Sequence, residues 1–347
     1  MNGLLGLWLT SLLLAGAALL IMIGLILGRF IGSRRQRKRV EERKRLLPLL
    51  LAGDESAEGL GRANVSTDLL ADLAVELIQM VRGEDRNRLV AAAARAGVPR
   101  RLLLRLSSRS SRVRMAAAEA LAEFRFRESV DALVKALGDG NDDVRLAAAM
   151  SLAAMEQAPS AQRLVDTLGI GSVETSLLTV GLFEEIAASR PHEIRALIEN
   201  PRSPGLVKAA AIDSLSASGD YSLVPLITRL AVEADTRAEE LPRYLRSLGR
   251  FGHPAAAAAV ERALGADVAE VRAAACEAAG KIALVETAGR LAELLGDEDW
   301  WVRFRAGEAL SRLGAAGRAL LVEVARGGEP VASQAAGLTL AERGMRA

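Results

Sequence analysis

One cysteine and two histidines in 347 residues leave little from which to build a thiol-based or metal-based site. Cys276 alone cannot form an internal disulfide, which fits a reducing compartment. Its setting in AAACEAAG, where a small buried residue is wanted, gives it a packing role. His192 and His253 each adjoin a proline and have no ligand-type neighbour at metal-binding spacing, so no metal site is expected. Aromatic residues are scarce at 3%, and the apolar half of the composition is mostly Ala and Leu. That mixture suits close-packed helices and disfavours strands, which draw on β-branched and aromatic side chains. A phosphate-binding glycine loop, a nucleophile elbow and a paired-carboxylate motif are all missing. Acidic pairs such as Glu184-Glu185 and Glu239-Glu240 read as solvated helix faces. No catalytic residue, cofactor or small-molecule substrate is therefore expected, and the chain is not read as an enzyme.

Charge is absent from Leu4 to Leu27. At ~1.5 Å per residue this run can cross a ~30 Å hydrocarbon layer with some tilt, which predicts a transmembrane helix. A cleaved signal would carry a basic segment before a shorter apolar core, and nothing basic precedes this one. Arg29, Arg34, Arg35, Arg37, Lys38, Arg39, Arg43, Lys44 and Arg45 all follow it. The imbalance puts the N-terminus outside and the bulk of the chain in the cytoplasm, anchored by a single pass in the plasma (inner) membrane. Residues 29–45 carry +7, which leaves −5 for the rest of a chain whose net charge is +2. The sequence pI of about 8.9 is thus a juxtamembrane charge cluster and not a nucleic-acid footprint, and no nucleic-acid partner is expected. Gly24, Gly28 and Gly32 share one helix face and form a candidate docking seam for another membrane helix. The organisation expected is an anchor over 1–32, a basic segment and linker over 33–63, and a helical domain over 64–347.

That domain repeats. Val113-Arg114, Val144-Arg145, Val207-Lys208, Val271-Arg272 and Val302-Arg303 are spaced by one or two units of about 31 residues. Degenerate copies fill the empty slots near Val173–Phe183 and Arg237–Leu248. Each unit reads as an alanine-rich helix such as VRLAAAMSLAAM, a short turn, and a leucine-bearing helix such as TAGRLAELLGDED. Gly138, Gly171, Gly265 and Gly296 stand where a left-handed C-terminal residue is wanted, and Asp142 and Asp299 where an N-cap is wanted. A hairpin of ~30 residues cannot hide its apolar face alone, so neighbours must stack into an α-solenoid of about seven to eight hairpins.

The stretches GDGNDDVRLAAAMSL, GADVAEVRAAACEAAGKI and LGDEDWWVRFRAGEALSRLG resemble the HEAT-repeat family, particularly its short alanine-rich, phycobilisome-lyase-like type. The resemblance spans roughly residues 85–343. It implies an all-α superhelix and an inter-repeat ladder of Asp and Arg over Asp142, Arg145, Asp267, Arg272, Asp299 and Arg303. It also implies a scaffold or adaptor that binds a protein partner, such as an accessory subunit of an envelope or polysaccharide-synthesis assembly. A chromophore-attaching lyase is the alternative it raises. The Ala, Arg and Gly richness is bacterial in character.

Two features stand apart from the consensus. Residues 173–264 replace Val-Arg by Glu174-Thr175 and Arg237-Ala238 and carry Pro191, Pro201, Pro204, Pro225, Pro242 and Pro254, so irregular packing is expected there. Trp300 and Trp301, two of only three tryptophans, fall at the first turn of a repeat helix. One is expected to pack on the neighbouring repeat, and with Arg303 and Arg305 the pair is also the candidate anchor for a partner.

Overall fold

The computed structural model describes residues 67–171, 177–216 and 219–344, with Met22 and Lys44 as isolated helical positions. The apolar span, its Gly24, Gly28 and Gly32 face, the basic run of Arg34, Arg35, Arg37, Lys38 and Arg39, and the Glu174-Thr175 pair lie outside the described residues. Among the described residues no helix is long and apolar enough to cross a membrane. All regular structure there is helical, eighteen α-helices with short 3-10 segments. The chain divides into two units, at Ala136 and Leu137.

The first unit holds α1 (Thr67–Met80), α2 (Gly83–Arg95), α3 (Val98–Arg105), α4 (Ser111–Leu121) and α5 (Arg127–Ala136). In α1 the buried positions Leu70, Ala71, Leu73, Ala74 and Ile78 keep helical spacing and make one apolar stripe. Gly97, at φ 80°, turns the chain out of α2, and Pro99 then sits in the first turn of α3, where its missing N–H costs nothing. Leu102, Leu121, Phe124 and Leu133 are buried in the unit's interior.

A polar clamp ties α3 to α1. Arg101 donates to both Asp68 oxygens at 2.7 and 2.5 Å, and Arg105 donates to the Asp68 carboxylate at 3.0 Å, its carbonyl at 2.9 Å and Asp72 at 2.6 Å. The Arg101 hydrogen bond is the main reason that the Asp68 carboxyl is lowered to about 2; burial opposes it and Arg105 adds to it. A carboxyl held below its unfolded value contributes all its stability above that value, ~3.9, and loses it as pH falls toward 2. Thermal unfolding followed by circular dichroism should therefore fall more steeply between pH 4 and 2 in the native chain than in Asp68→Asn. Parallel curves would show that the clamp adds nothing.

The second unit continues the pattern in two rows. One row holds α6 (Asp142–Ala154), α8 (Leu177–Ser189), α10 (Gly205–Leu215), α12 (Leu241–Phe251), α14 (Ala269–Ile282), α16 (Trp300–Arg312) and α18 (Pro330–Glu342), each packed on the next; α6, α10 and α14 are alanine-rich as expected, whereas α12 has no alanine. Against this row lie α7 (Ala161–Leu168), α9 (Pro191–Glu199), α11 (Val224–Glu233), α13 (Ala257–Ala263), α15 (Ala288–Glu293) and α17 (Gly314–Gly327). Small residues allow the close approach: a Cβ added at Gly249 would lie 3.0 Å from the Ala278 Cα, and one at Gly280 would lie 2.7 Å from the Ala309 Cα.

Some expected details change. Among the described residues the middle repeats keep the same helix order, and their prolines stay out of helix interiors: Pro191, Pro225 and Pro242 occupy first turns, Pro201 lies in the turn before α10, Pro204 is the N-cap of α10, and Pro254 opens a 3-10 segment. Arg237-Ala238 is a turn before α12, not part of the helix. Asn141, not Asp142, is the N-cap of α6, since Asn141 has the extended backbone and accepts from the Val144 N–H. Of the four glycines, only Gly171 is left-handed, and Gly169 rather than Gly171 caps α7. Near Gly296 the chain leaves α15 through a 3-10 turn instead.

Candidate functional site

The arginines of the Val-Arg pairs close the turns before their helices, and one of them, Arg272, also bridges to the next repeat, through a different acidic partner from that expected. Arg272 Nη1 donates to the Ala266 and Asp267 carbonyls at 2.9 and 2.8 Å, closing the turn that enters α14. Its Nε and Nη2 donate at 2.8 Å each to Asp297, in the turn before α16. Asp297 therefore links the two repeats. Asp299 instead caps α16, accepting from the Trp301 and Val302 N–H groups, and the Asp267 carboxylate pairs with Arg237, at 3.4 Å on the surface. Arg303 and Arg145 reproduce the turn-closing half of the arrangement, donating to the carbonyls of Asp297 and Glu298 and of Asp139; Arg145 also pairs with Asp142 at 2.8 Å. Burial pushes the Asp297 carboxyl up, but the Arg272 and Asp299 N–H donors, with the Arg272 and Arg303 charges, outweigh it and hold it low.

A second bridge joins α10 to α12, where Asp213 accepts from Arg243 at 2.9 and 2.8 Å, from Ser247 at 3.0 Å and from Arg250.

The Asp299 cap also aims the tryptophans. In α16 the buried positions are Val302, Ala306, Gly307, Ala309 and Leu310, so Trp300, Trp301 and Phe304 fall on another stripe. Neither tryptophan is buried on the neighbouring repeat, contrary to expectation: they are 54% and 57% exposed. Their rings pack on one another instead. Trp300 stacks on Phe304 at 5.4 Å, and Trp301 meets both rings edge-on at 4.7 and 5.9 Å.

Beside Trp301 lies a cavity of about 330 Å³, walled by Arg246 of α12, Glu270, Ala273 and Glu277 of α14, and Arg305 of α16. Its charges alternate. Arg246 pairs with Glu270 at 2.9 Å, and Glu277 pairs with Lys281 at 2.6 Å and with Arg305 at 3.7 Å. Burial raises the Glu277 carboxyl, and Lys281, Arg305 and Arg246 reverse this to leave it below its ordinary value. An alanine floor, an aromatic wall and a charged rim suit the capture of a side chain or short peptide. Of the four residues expected to engage a partner, Trp301 and Arg305 line this cavity, Trp300 packs on Trp301 outside it, and Arg303 is held by turn carbonyls. Phe304 was not anticipated, although its spacing of three and four from the tryptophans was the available signal.

Chemistry elsewhere is sparse. Burial raises the Cys276 thiol to about 12, which leaves it inert. His253 caps a 3-10 segment through Nδ1, and His192 lines a wider cavity of about 690 Å³ between α8, α9 and α10. Among the described residues no group of His, Cys, Asp and Glu could hold a metal ion.

No curated protein matches the sequence. Solved structures similar to it include the karyopherin Kap121p bound to the SUMO protease Ulp1p, at 13% identity over 80% of this chain and 37% of that one, with a TM-score of 0.42. Another concerns Kap95p binding and the switch loops of RanGDP, at 14% identity over 82% and 48%, TM-score 0.44. An engineered protein is similar at 19% identity over 88% and 100%, TM-score 0.37. The chain thus spans less than half the length of the matched chain in the Kap121p and Kap95p structures. The family model for HEAT repeats matches residues 99–175, 232–311 and 269–341. With these matches covering more than half of its length, the chain belongs to the HEAT-repeat family.

Proposed function

We propose that the protein is a single-pass membrane protein that holds a non-catalytic HEAT-repeat scaffold at the cytoplasmic face of the plasma membrane and binds a protein partner there. The observation that carries the binding half is the pair of exposed tryptophans, Trp300 and Trp301, packed on the half-buried Phe304 beside the alanine-floored cavity. Exposed tryptophan is costly to leave in water and is the commonest anchor at interfaces. The anchoring half is supported by the uncharged run Leu4–Leu27 and the basic run behind it. Together they would raise the local concentration of a partner already confined to the membrane.

The full chain in its own membrane, with a photoreactive phenylalanine analogue at position 304, is expected to crosslink one protein partner. Trp301→Ala should cut the yield about 10-fold or more, as loss of an interface anchor does. The same analogue at position 285, exposed in another part of the unit, should give no product. A crosslink that survives Trp301→Ala but is lost with Gly24→Leu and Gly28→Leu would transfer the docking role to the membrane helix.

A further inference from the structure

The net charge of the helical domain conceals a division. Residues 67–136 hold 13 Lys and Arg against 9 Asp and Glu, a net +4, while residues 137–347 hold 22 against 29, a net −7. The positive charge of the first unit is concentrated: from Arg86 to Ala118 there are nine arginines and no acidic residue. Several are used internally. Arg101 and Arg105 clamp α1, Arg86 pairs with Glu123, Arg88 pairs with Glu84, and Arg114 donates to the Ser108 and Arg109 carbonyls. Arg100, Arg109 and Arg112 are exposed, and no carboxylate among the described residues pairs with them. They share the α3–α4 hairpin with two exposed apolar side chains. Leu104, 61% exposed, lies one turn along α3 from Arg100, Arg109 lies in the connecting loop, and Arg112 and Val113 open α4.

We infer that this corner of the hairpin is a lipid-contacting surface that seats the first unit on an anionic leaflet. The assignment rests on the membrane anchoring proposed above and goes beyond it. Arginines interleaved with Leu104 and Val113 match an interface that is anionic at the headgroups and apolar just beneath. Single-stranded nucleic acid would call for stacking aromatics, which this corner lacks, and a duplex would leave the exposed Leu104 and Val113 without an apolar partner. Position agrees with chemistry: residues 46–66 span at most roughly 76 Å even fully extended, so the corner is tethered to the +7 segment that follows the anchor.

The test uses the full chain with Leu104→Cys carrying an environment-sensitive fluorophore; the buried Cys276 leaves position 104 as the only reactive thiol among the described residues. In vesicles of phosphatidylcholine and phosphatidylserine with brominated acyl chains, most of the emission should be quenched. Quenching should be lost in phosphatidylcholine alone, at high salt, and in the Arg100→Glu, Arg112→Glu double variant, whose helix content should match the native chain. A fluorophore that stays in water in both vesicles overturns the assignment, as does one protected by added oligonucleotide in place of lipid. Resistance to alkaline extraction reads the anchor separately: an inserted chain with a water-exposed fluorophore refutes only this inference, and an extractable chain refutes the anchor.

Discussion

Arg272→Ala is expected to destabilise the junction between α14 and α16 by about 3–5 kcal/mol, the range for removing one partner of a buried ion pair. The side chains of Arg272 and Asp297 are only 10% and 7% exposed, so water cannot readily replace the lost guanidinium. The substitution leaves the Asp297 carboxylate charged in a poorly hydrated turn and frees the Ala266 and Asp267 carbonyls. In a repeat array the damage should be local, opening α16 and its C-terminal neighbours before the rest. Hydrogen exchange read helix by helix would show this, with protection lost in α14 and α16 and kept in α8. Arg272→Lys should recover part of the loss, since an ammonium restores charge but not the two parallel hydrogen bonds. Arg272→Met combined with Asp297→Asn should recover most of it, because the charge is gone and an acceptor for the Asp299 N–H remains. A loss below about 1 kcal/mol in Arg272→Ala would mean that the pair behaves like a surface salt bridge. Asp297 is held below its ordinary pKa, so the contribution is complete at neutral pH and disappears only as acid protonates the carboxylate.

The repeat was legible because its determinants are periodic. Val144, Val271 and Val302 are fully buried at equivalent positions, and the arginine that follows each returns to the turn before its own helix. What spacing could not decide was which of two nearby residues performs a task set by backbone conformation. Asp297 and Asp299 are two residues apart, and only the path of the turn makes one the bridge to Arg272 and the other the cap of α16. Asn141 and Asp142 pose the same ambiguity. The tryptophans were misjudged for a related reason: paired large apolar residues suggest burial, but the stripe of α16 that faces its neighbours is set by Val302, Ala306 and Ala309, and Trp300 and Trp301 lie off it. Total charge misled as well, since a mildly acidic remainder averages a basic first unit with an acidic second.

Gly280→Val should cost about 2–4 kcal/mol, and the smaller change Gly280→Ala separates the two effects that compete at this position. Helix propensity alone favours Ala over Gly by up to ~1 kcal/mol. Packing opposes it. A Cβ at position 280 would sit 2.7 Å from the Ala309 Cα and 3.0 Å from its Cβ, and a backbone atom in a packed helix cannot swing aside as a side-chain end can. Separating α14 from α16 to relieve the overlap would stretch the Arg272–Asp297 bridge at the same junction. Overpacking of this kind costs ~1–3 kcal/mol, so Gly280→Ala should be net destabilising despite its better propensity. Gly337, in the middle of α18, has nothing within 4 Å of an added Cβ. There Gly337→Ala should stabilise by roughly 0.5–1 kcal/mol, because propensity acts unopposed. Urea unfolding of the two alanine variants beside the native chain reads the comparison directly, and midpoints that move in the same direction would show that close approach at Gly280 is not what holds α14 against α16.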